Sequence, residues 1–159
     1  MKKIFSLVAM LMFVGSSVAS AAGWFPDYLY DDPNYIAAYA HMGAGSYVDA
    51  SSLAVEVYDP PRYILTVDVA QVRDMDRGNT EITSVGTYRF LYDWDEGRVY
   101  YDKNTGTNDW KYIPPKGSNA QRGFYGPIAE IAFYLAYGMK FYGDDYPDAF
   151  SDALYERLP

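Results

Sequence analysis

Glu130 has the most unusual neighbours of any charge in this sequence. It stands among Ile128, Ala129, Ile131, Ala132 and Phe133, with Tyr134 one helical turn further on. A carboxyl group in apolar surroundings is kept neutral by desolvation and can serve as an acid in a pocket. The simpler expectation is a carboxylate favoured by the positive end of a helix and hydrogen-bonded to a tyrosine or a backbone amide, because buried polar groups are normally satisfied. Asp93 and Asp95 share one side of an extended segment and could form a glycosidase pair, but carboxylates are plentiful in this chain. His41 is the only histidine, and no Gly-x-Ser-x-Gly elbow accompanies it. Without a nucleophile beside that histidine there is no triad to build. No catalytic residue is therefore assigned.

Metal chemistry is equally thin. The chain has no cysteine and one histidine, so a zinc site would need mainly carboxylates. Asp74-Met75-Asp76, Asp93-Trp94-Asp95 and Asp102-Lys103-Asn104 each begin like a calcium loop, then lack the glycine at position six and the glutamate at position twelve. Asp, Asn and Gly favour turns for backbone reasons, and turns are what these segments predict. No metal and no cofactor is expected.

Binding chemistry is better supplied. The sequence holds 18 Tyr, 8 Phe and 3 Trp, too many rings for one small core to hide. Tyrosine and tryptophan offer rigid apolar area with a polar tip, which suits a contact surface. Tyr88, Phe90, Tyr92 and Trp94 alternate with mostly polar or charged residues, so they share one strand face, either a ligand face or the core side beneath a helix. In the second case Tyr100, Trp110, Tyr112 and the pair Tyr28 and Tyr30 are the better surface. The candidate binding residues are Tyr92, Trp94, Tyr100, Trp110 and Tyr112, with Glu130 as a buried acid.

The elements that must position these residues follow from the same patterns. Thr80 to Tyr112 reads as a meander, turning at Asp95-Glu96-Gly97 and Asn104-Thr105-Gly106. Before it, Arg62 to Arg73 is a long strand with Tyr63, Leu65, Val67 and Val69 inward. Asp59-Pro60-Pro61 stops the strand ahead, since proline cannot donate to a ladder. Tyr47 to Asp49 and Leu53 to Tyr58 read as two short strands, with Leu53, Val55 and Val57 on one face. Tyr35 to Met42 fits a strand or a short helix, and its alternation favours the strand. Trp24 to Pro33 reads as an extended arm. From Pro127 the period changes to three and four, predicting a helix over 127–142 that ends at Gly143, and a shorter one over 147–157. The expected fold is α+β: an antiparallel meander of about six strands over residues 35–113, with the C-terminal helix packed on one face.

The first residues have the layout of a secretory leader: a basic start at Lys2 and Lys3, an apolar run over 4–14, and small residues to Ala21. Cleavage after Ala21 would leave residues 22–159 as one domain and take the net charge from −8 to −10. An acidic chain is a poor match for nucleic acid or anionic lipid. Export, to the periplasm or the cell surface, without stable membrane insertion after cleavage, is the expectation.

Several stretches also resemble a group of small exported bacterial proteins of unknown function. They are Tyr47-Val48-Asp49-Ala50-Ser51-Ser52-Leu53, the Pro60-Pro61 break, Gly78-Asn79-Thr80, Trp110-Lys111-Tyr112-Ile113-Pro114-Pro115, and Gly126 to Tyr137 with Lys140-Phe141-Tyr142-Gly143. The Tyr-Val-Asp-x-Ser-Ser element and the meander after it resemble surface-adhesin protein E-like envelope domains. That resemblance implies a non-enzymatic binding role toward an envelope glycan or a surface protein, and brings no active site with it. The alternatives are a small carboxylate hydrolase of envelope polymers and a periplasmic inhibitor or assembly factor.

Overall fold

The computed structural model describes residues 25–115, 123–140 and 154–158. The expected leader, Trp24 and most of the expected 147–157 helix lie outside the described residues. Six strands follow one another: β1 (Tyr35–His41), β2 (Ala44–Asp59), β3 (Arg62–Val72), β4 (Ile82–Asp93), β5 (Arg98–Asp102) and β6 (Trp110–Ile113). Each pairs antiparallel with its sequence neighbour, so one sheet carries the order β1-β2-β3-β4-β5-β6. One helix, α1 (Tyr125–Tyr137), packs across β1, β2, β3 and β5. This is the α+β meander that the alternating patterns predict. Among the described residues no helix is long and apolar enough to cross a membrane.

The period-two alternation of β3 decides where the core sits. Tyr63, Leu65, Val67 and Val69 are buried in turn, and they meet Ile128, Ile131, Ala132 and Phe133 of α1. Leu154 and Leu158 join the same cluster. Every residue from Gly126 to Phe133 is buried, so the first two turns of α1 are enclosed on all sides rather than amphipathic. Each large side chain buried in this way contributes about 1.5–3 kcal/mol of hydrophobic stabilisation.

Opposite the helix, a smaller cluster forms from Leu29, Tyr47, Ala70, Val72 and Met75, with Phe25 and Ile82 against it. It anchors the N-terminal segment. That segment is not the extended arm expected from its Asp, Tyr and Pro content. Leu29–Asp31 form a 3-10 turn, Tyr28 bridges to Ile36, and the Leu29 side chain is fully buried. Burial of one leucine outweighs the extended preference of its neighbours.

Three expectations are corrected by tertiary contacts. Tyr47–Asp49 and Leu53–Tyr58 belong to one strand, β2, which bulges between Asp49 and Ala54 and again between Val55 and Val57. The second shift pairs Val55 with Leu65 but Val57 with Ile64, so the two valines lie on opposite faces. Gly43-Ala44-Gly45-Ser46, a stretch whose small residues predict a turn, instead opens β2 at Ala44, and the turn is confined to Met42-Gly43. Finally, α1 stops at Gly138, five residues before the expected Gly143: Gly138 adopts φ +65 and returns its N–H to the Tyr134 carbonyl at 2.7 Å. That left-handed cap satisfies a terminal carbonyl and redirects the chain.

Candidate functional site

The β2-β3 hairpin places Tyr58 directly across from Tyr63, with the cis Pro60-Pro61 pair at the tip. Its two prolines, Tyr63, Trp94 and Asp95 line an open cleft of about 430 Å³. Register explains the convergence. Tyr63 pairs with Tyr92 on β4, and Trp94 lies just past that strand's end, its amide bonded to the Pro61 carbonyl at 2.8 Å.

The two lining rings, Tyr63 and Trp94, belong to a continuous group of aromatic contacts. Tyr92 lies between Tyr63, at 6.4 Å and near-parallel, and Trp94, at 5.8 Å and near-perpendicular. Tyr63 also meets Tyr58 and Tyr137, each at 5.5 Å between ring centres. Tyr92 backs onto Phe133 of α1 at 5.7 Å. Tyr63, Tyr92 and Phe133 are buried while Trp94 is 57% exposed and Tyr58 67% exposed, so the rings run from core to solvent without a break. Such edge-to-face contacts hold rings in fixed orientations and reduce the entropy lost on binding.

Near Tyr92 lies Glu130, only 1% exposed. Among the described residues neither of its carboxylate oxygens has a hydrogen-bond partner, and the Tyr137 hydroxyl is likewise buried without one there. The expected bond from Glu130 to a tyrosine or an amide is therefore not made. Glu130 is the sixth residue of α1, beyond the first turn where free amides and the dipole act. Burial pushes its carboxyl up to about 8, against a smaller downward pull from Lys140. Its charge in turn adds to the burial that raises the Tyr92 phenol.

No protein-family model, curated protein or solved structure matches this chain. The functional reading rests on the site's own chemistry.

The five aromatic candidates divide between two places. Trp94 lines the cleft, and Tyr92 is buried against Tyr63 and Trp94. Tyr100, Trp110 and Tyr112 lie on the opposite face of the sheet, because Leu91 pairs with Tyr100 and Tyr100 with Tyr112, one residue out of step with the buried Tyr92, Val99 and Ile113. There the rings are already engaged. Tyr100 meets Tyr112 at 5.7 Å and donates to Glu96 at 2.7 Å, and Arg98 lies over the Tyr112 ring. Trp110 is covered by the Arg89 guanidinium at 4.9 Å. Arg89 also binds Glu56 at 2.6 Å, Asp102 at 3.2 Å and Asn108 at 2.6 Å. Its neighbour Asp102 accepts the amides of Gly106, Asn108 and Asp109 within 3.0 Å, closing the β5-β6 loop. This second cluster is a structural brace with Tyr112 at its exposed edge.

Of the N-terminal tyrosines, Tyr28 donates to the Arg157 carbonyl, and Tyr30 is exposed beside Tyr35. His41 is exposed at the end of β1 and lies beside the Tyr39 ring. Sequence reasoning missed Tyr58, Pro60, Pro61, Tyr63 and Tyr137 as site residues. One signal was present: two tyrosines placed symmetrically about a Pro-Pro hairpin tip must face one another across the hairpin.

Proposed function

We propose that this chain is an exported, non-enzymatic binding protein of the bacterial envelope, adhesin-like in role, whose ligand seats in the aromatic cleft between Pro60-Pro61 and Trp94. The observation that carries this reading is the cleft itself. It is an open cleft lined by Pro60, Pro61, Tyr63 and Trp94 with one carboxylate, Asp95, and Trp94 and Asp95 meet solvent at its rim. Concave aromatic sites with few polar groups are how proteins hold small ligands or single groups of a polymer. The leader-like start of the sequence and the resemblance to exported envelope domains support the location.

The competing hydrolase reading draws on Glu130, an acid whose carboxyl is held neutral at neutral pH. General acid catalysis requires that acid to reach the scissile bond directly or through one water. Glu130 is buried and does not line the cleft. We therefore favour binding without turnover.

The test is titration of the purified protein with solubilised envelope polysaccharide and peptidoglycan fragments, read by tryptophan fluorescence, with product analysis of the same samples. A saturable change that Trp94→Ala abolishes, without cleavage, supports the binding reading. Cleavage products would replace it with the hydrolase.

A further inference from the structure

We propose that the sheet face turned away from α1 pairs this chain with a second copy of itself, centred on Ile64 and Leu91 about a two-fold axis parallel to the strands. This goes beyond the binding reading above and does not depend on what the cleft holds.

The strand registers lay one apolar row across five strands. Val57, Ile64, Leu91, Tyr100 and Tyr112 are successive partners from β2 to β6. The row points away from α1, because the adjacent row of Tyr63, Tyr92, Val99 and Ile113 is buried in the cluster that holds the helix. Tyr112 is exposed, the other four are half-buried, and none of the five joins either hydrophobic cluster. A contiguous apolar row open to solvent and rimmed by charge marks an interaction surface.

The charges beside it point to the partner. Two residues nearer the Pro60-Pro61 tip, on the same face, run Asp59, Arg62, Asp93 and Arg98, again successive partners. Their signs alternate and sum to zero in a chain of net charge −8, so an equally acidic copy meets no net repulsion from this row. Copies of one chain most often pair about a two-fold axis, presenting the same patch to each other. An axis parallel to the strands, between β3 and β4, reverses the row. Asp59 then faces the partner's Arg98, and Arg62 faces the partner's Asp93, so every charge meets its opposite. The same operation sets Ile64 against the partner's Leu91 and Val57 against the partner's Tyr100. Facing sheets cross at about 30°, which brings the centre of the row closest and splays its ends. Five strands span about 20 Å. A face of that width supports a concentration-dependent dimer rather than an obligate one. Tyr63 of the cleft lies on the helix side, so both clefts of the dimer stay open.

The experiment is sedimentation velocity on the purified protein from about 1 to about 500 µM. The parent should pass from monomer to dimer across this range. Leu91→Lys should abolish the dimer while leaving the thermal midpoint of the dilute protein close to that of the parent. Asp59→Arg and Arg98→Asp, both at exposed positions, set like charges face to face and should each weaken the dimer about tenfold. Combining the two restores opposite facing charges and should recover most of the affinity. Ile64→Cys and Leu91→Cys, each the single thiol of its variant, should when mixed form the Cys-to-Cys heterodimer faster than Leu91→Cys couples to itself. A protein that stays monomeric throughout overturns the proposal. A dimer that ignores Leu91→Lys overturns it too, because the contact then lies elsewhere. Failure of the double charge change to restore association overturns the two-fold register. A Leu91→Cys thiol that dilute monomer shields from maleimide shows the face covered by the chain's own residues, and also overturns the proposal. None of these outcomes bears on the cleft, which Trp94→Ala tests separately.

Discussion

The Ser52 hydroxyl accepts the amide hydrogen of Asp68 at 2.7 Å and donates its own hydrogen to the carbonyl of Asp49 at 2.6 Å. One side chain thus stands in for ladder bonds where β2 bulges away from β3. It keeps a strand of 16 residues continuous through a break in its pairing. Replacing Ser52 with alanine leaves a donor and an acceptor without partners, at a cost of about 1–3 kcal/mol. The urea midpoint should fall accordingly, and Ser52→Thr, which keeps the hydroxyl, should recover most of the loss.

Asp102 is expected to set the acid limit of the fold. Burial pushes its carboxyl up, but the amides of Asn108, Asp109 and Gly106 and the Arg89 guanidinium together outweigh it and hold it below the ordinary 3.8. A carboxyl lowered in the folded state adds stability at neutral pH that is lost as pH falls through the lowered value. Asp102→Asn should therefore destabilise at pH 7 by about 3 kcal/mol and show a shallower loss on acidification. Thermal melts at several acidic pH values check both points. Lost protection of the 102–109 amides in hydrogen exchange would locate the damage.

For Glu130 the sign is opposite. Its carboxyl rises from 4.5 to about 8 on folding, so the folded state holds a proton that the unfolded chain has released. Stability is then greatest below the unfolded value and declines as pH rises from about 4.5 to about 8, by a few kcal/mol in all. Glu130→Gln removes the titration and should flatten this decline. Glu130→Met, which also removes the unpartnered oxygens, should raise the midpoint above pH 8 beyond that of the parent. A Glu130→Gln protein with the parent's pH profile between 5 and 9 would contradict this account.

Gly45 is fixed by contact rather than by backbone angle. A Cβ there would come within 2.5 Å of the Met75 sulfur and 3.0 Å of the Tyr47 ring. Gly45→Ala should overpack the smaller cluster and cost about 1–3 kcal/mol. The change should release the N-terminal segment that this cluster anchors. Faster proteolysis near Leu29, with the sheet otherwise intact, is the expected readout.

The legible parts of this fold were those governed by local period. Tyr63 to Val69 and Tyr88 to Tyr92 alternate because one face of each strand is buried, and that alternation is written in residue type. The helix period from Ile128 to Ala132 was equally plain. Its end was not: Met139 continues the apolar spacing past Gly138, while the cap depends on a left-handed turn that spacing does not record. The β2 bulge escaped because it depends on one hydroxyl reaching Asp68 on the next strand. The cleft was half legible. Tyr92 and Trp94 were singled out, but their partner Tyr63 read as core and Pro60-Pro61 as a stop signal. Only the hairpin register and the β3-β4 pairing bring these five residues together. Glu130 was picked out by its apolar neighbours, and its lack of a partner is a property of packing around α1 that no sequence pattern encodes.

The meander order has a kinetic consequence. Every strand pairs with the one just before or after it, so the sheet can grow hairpin by hairpin without closing a long loop, and short loops close at little entropic cost. The distant partners are of another kind. Arg157 reaches back to Asp27 at 2.9 Å and Tyr28 reaches forward to Arg157, across nearly the whole chain. These contacts cannot stabilise a nucleus that forms before both ends are present. They belong to the last stage of folding, and their loss should accelerate unfolding while leaving the refolding rate unchanged.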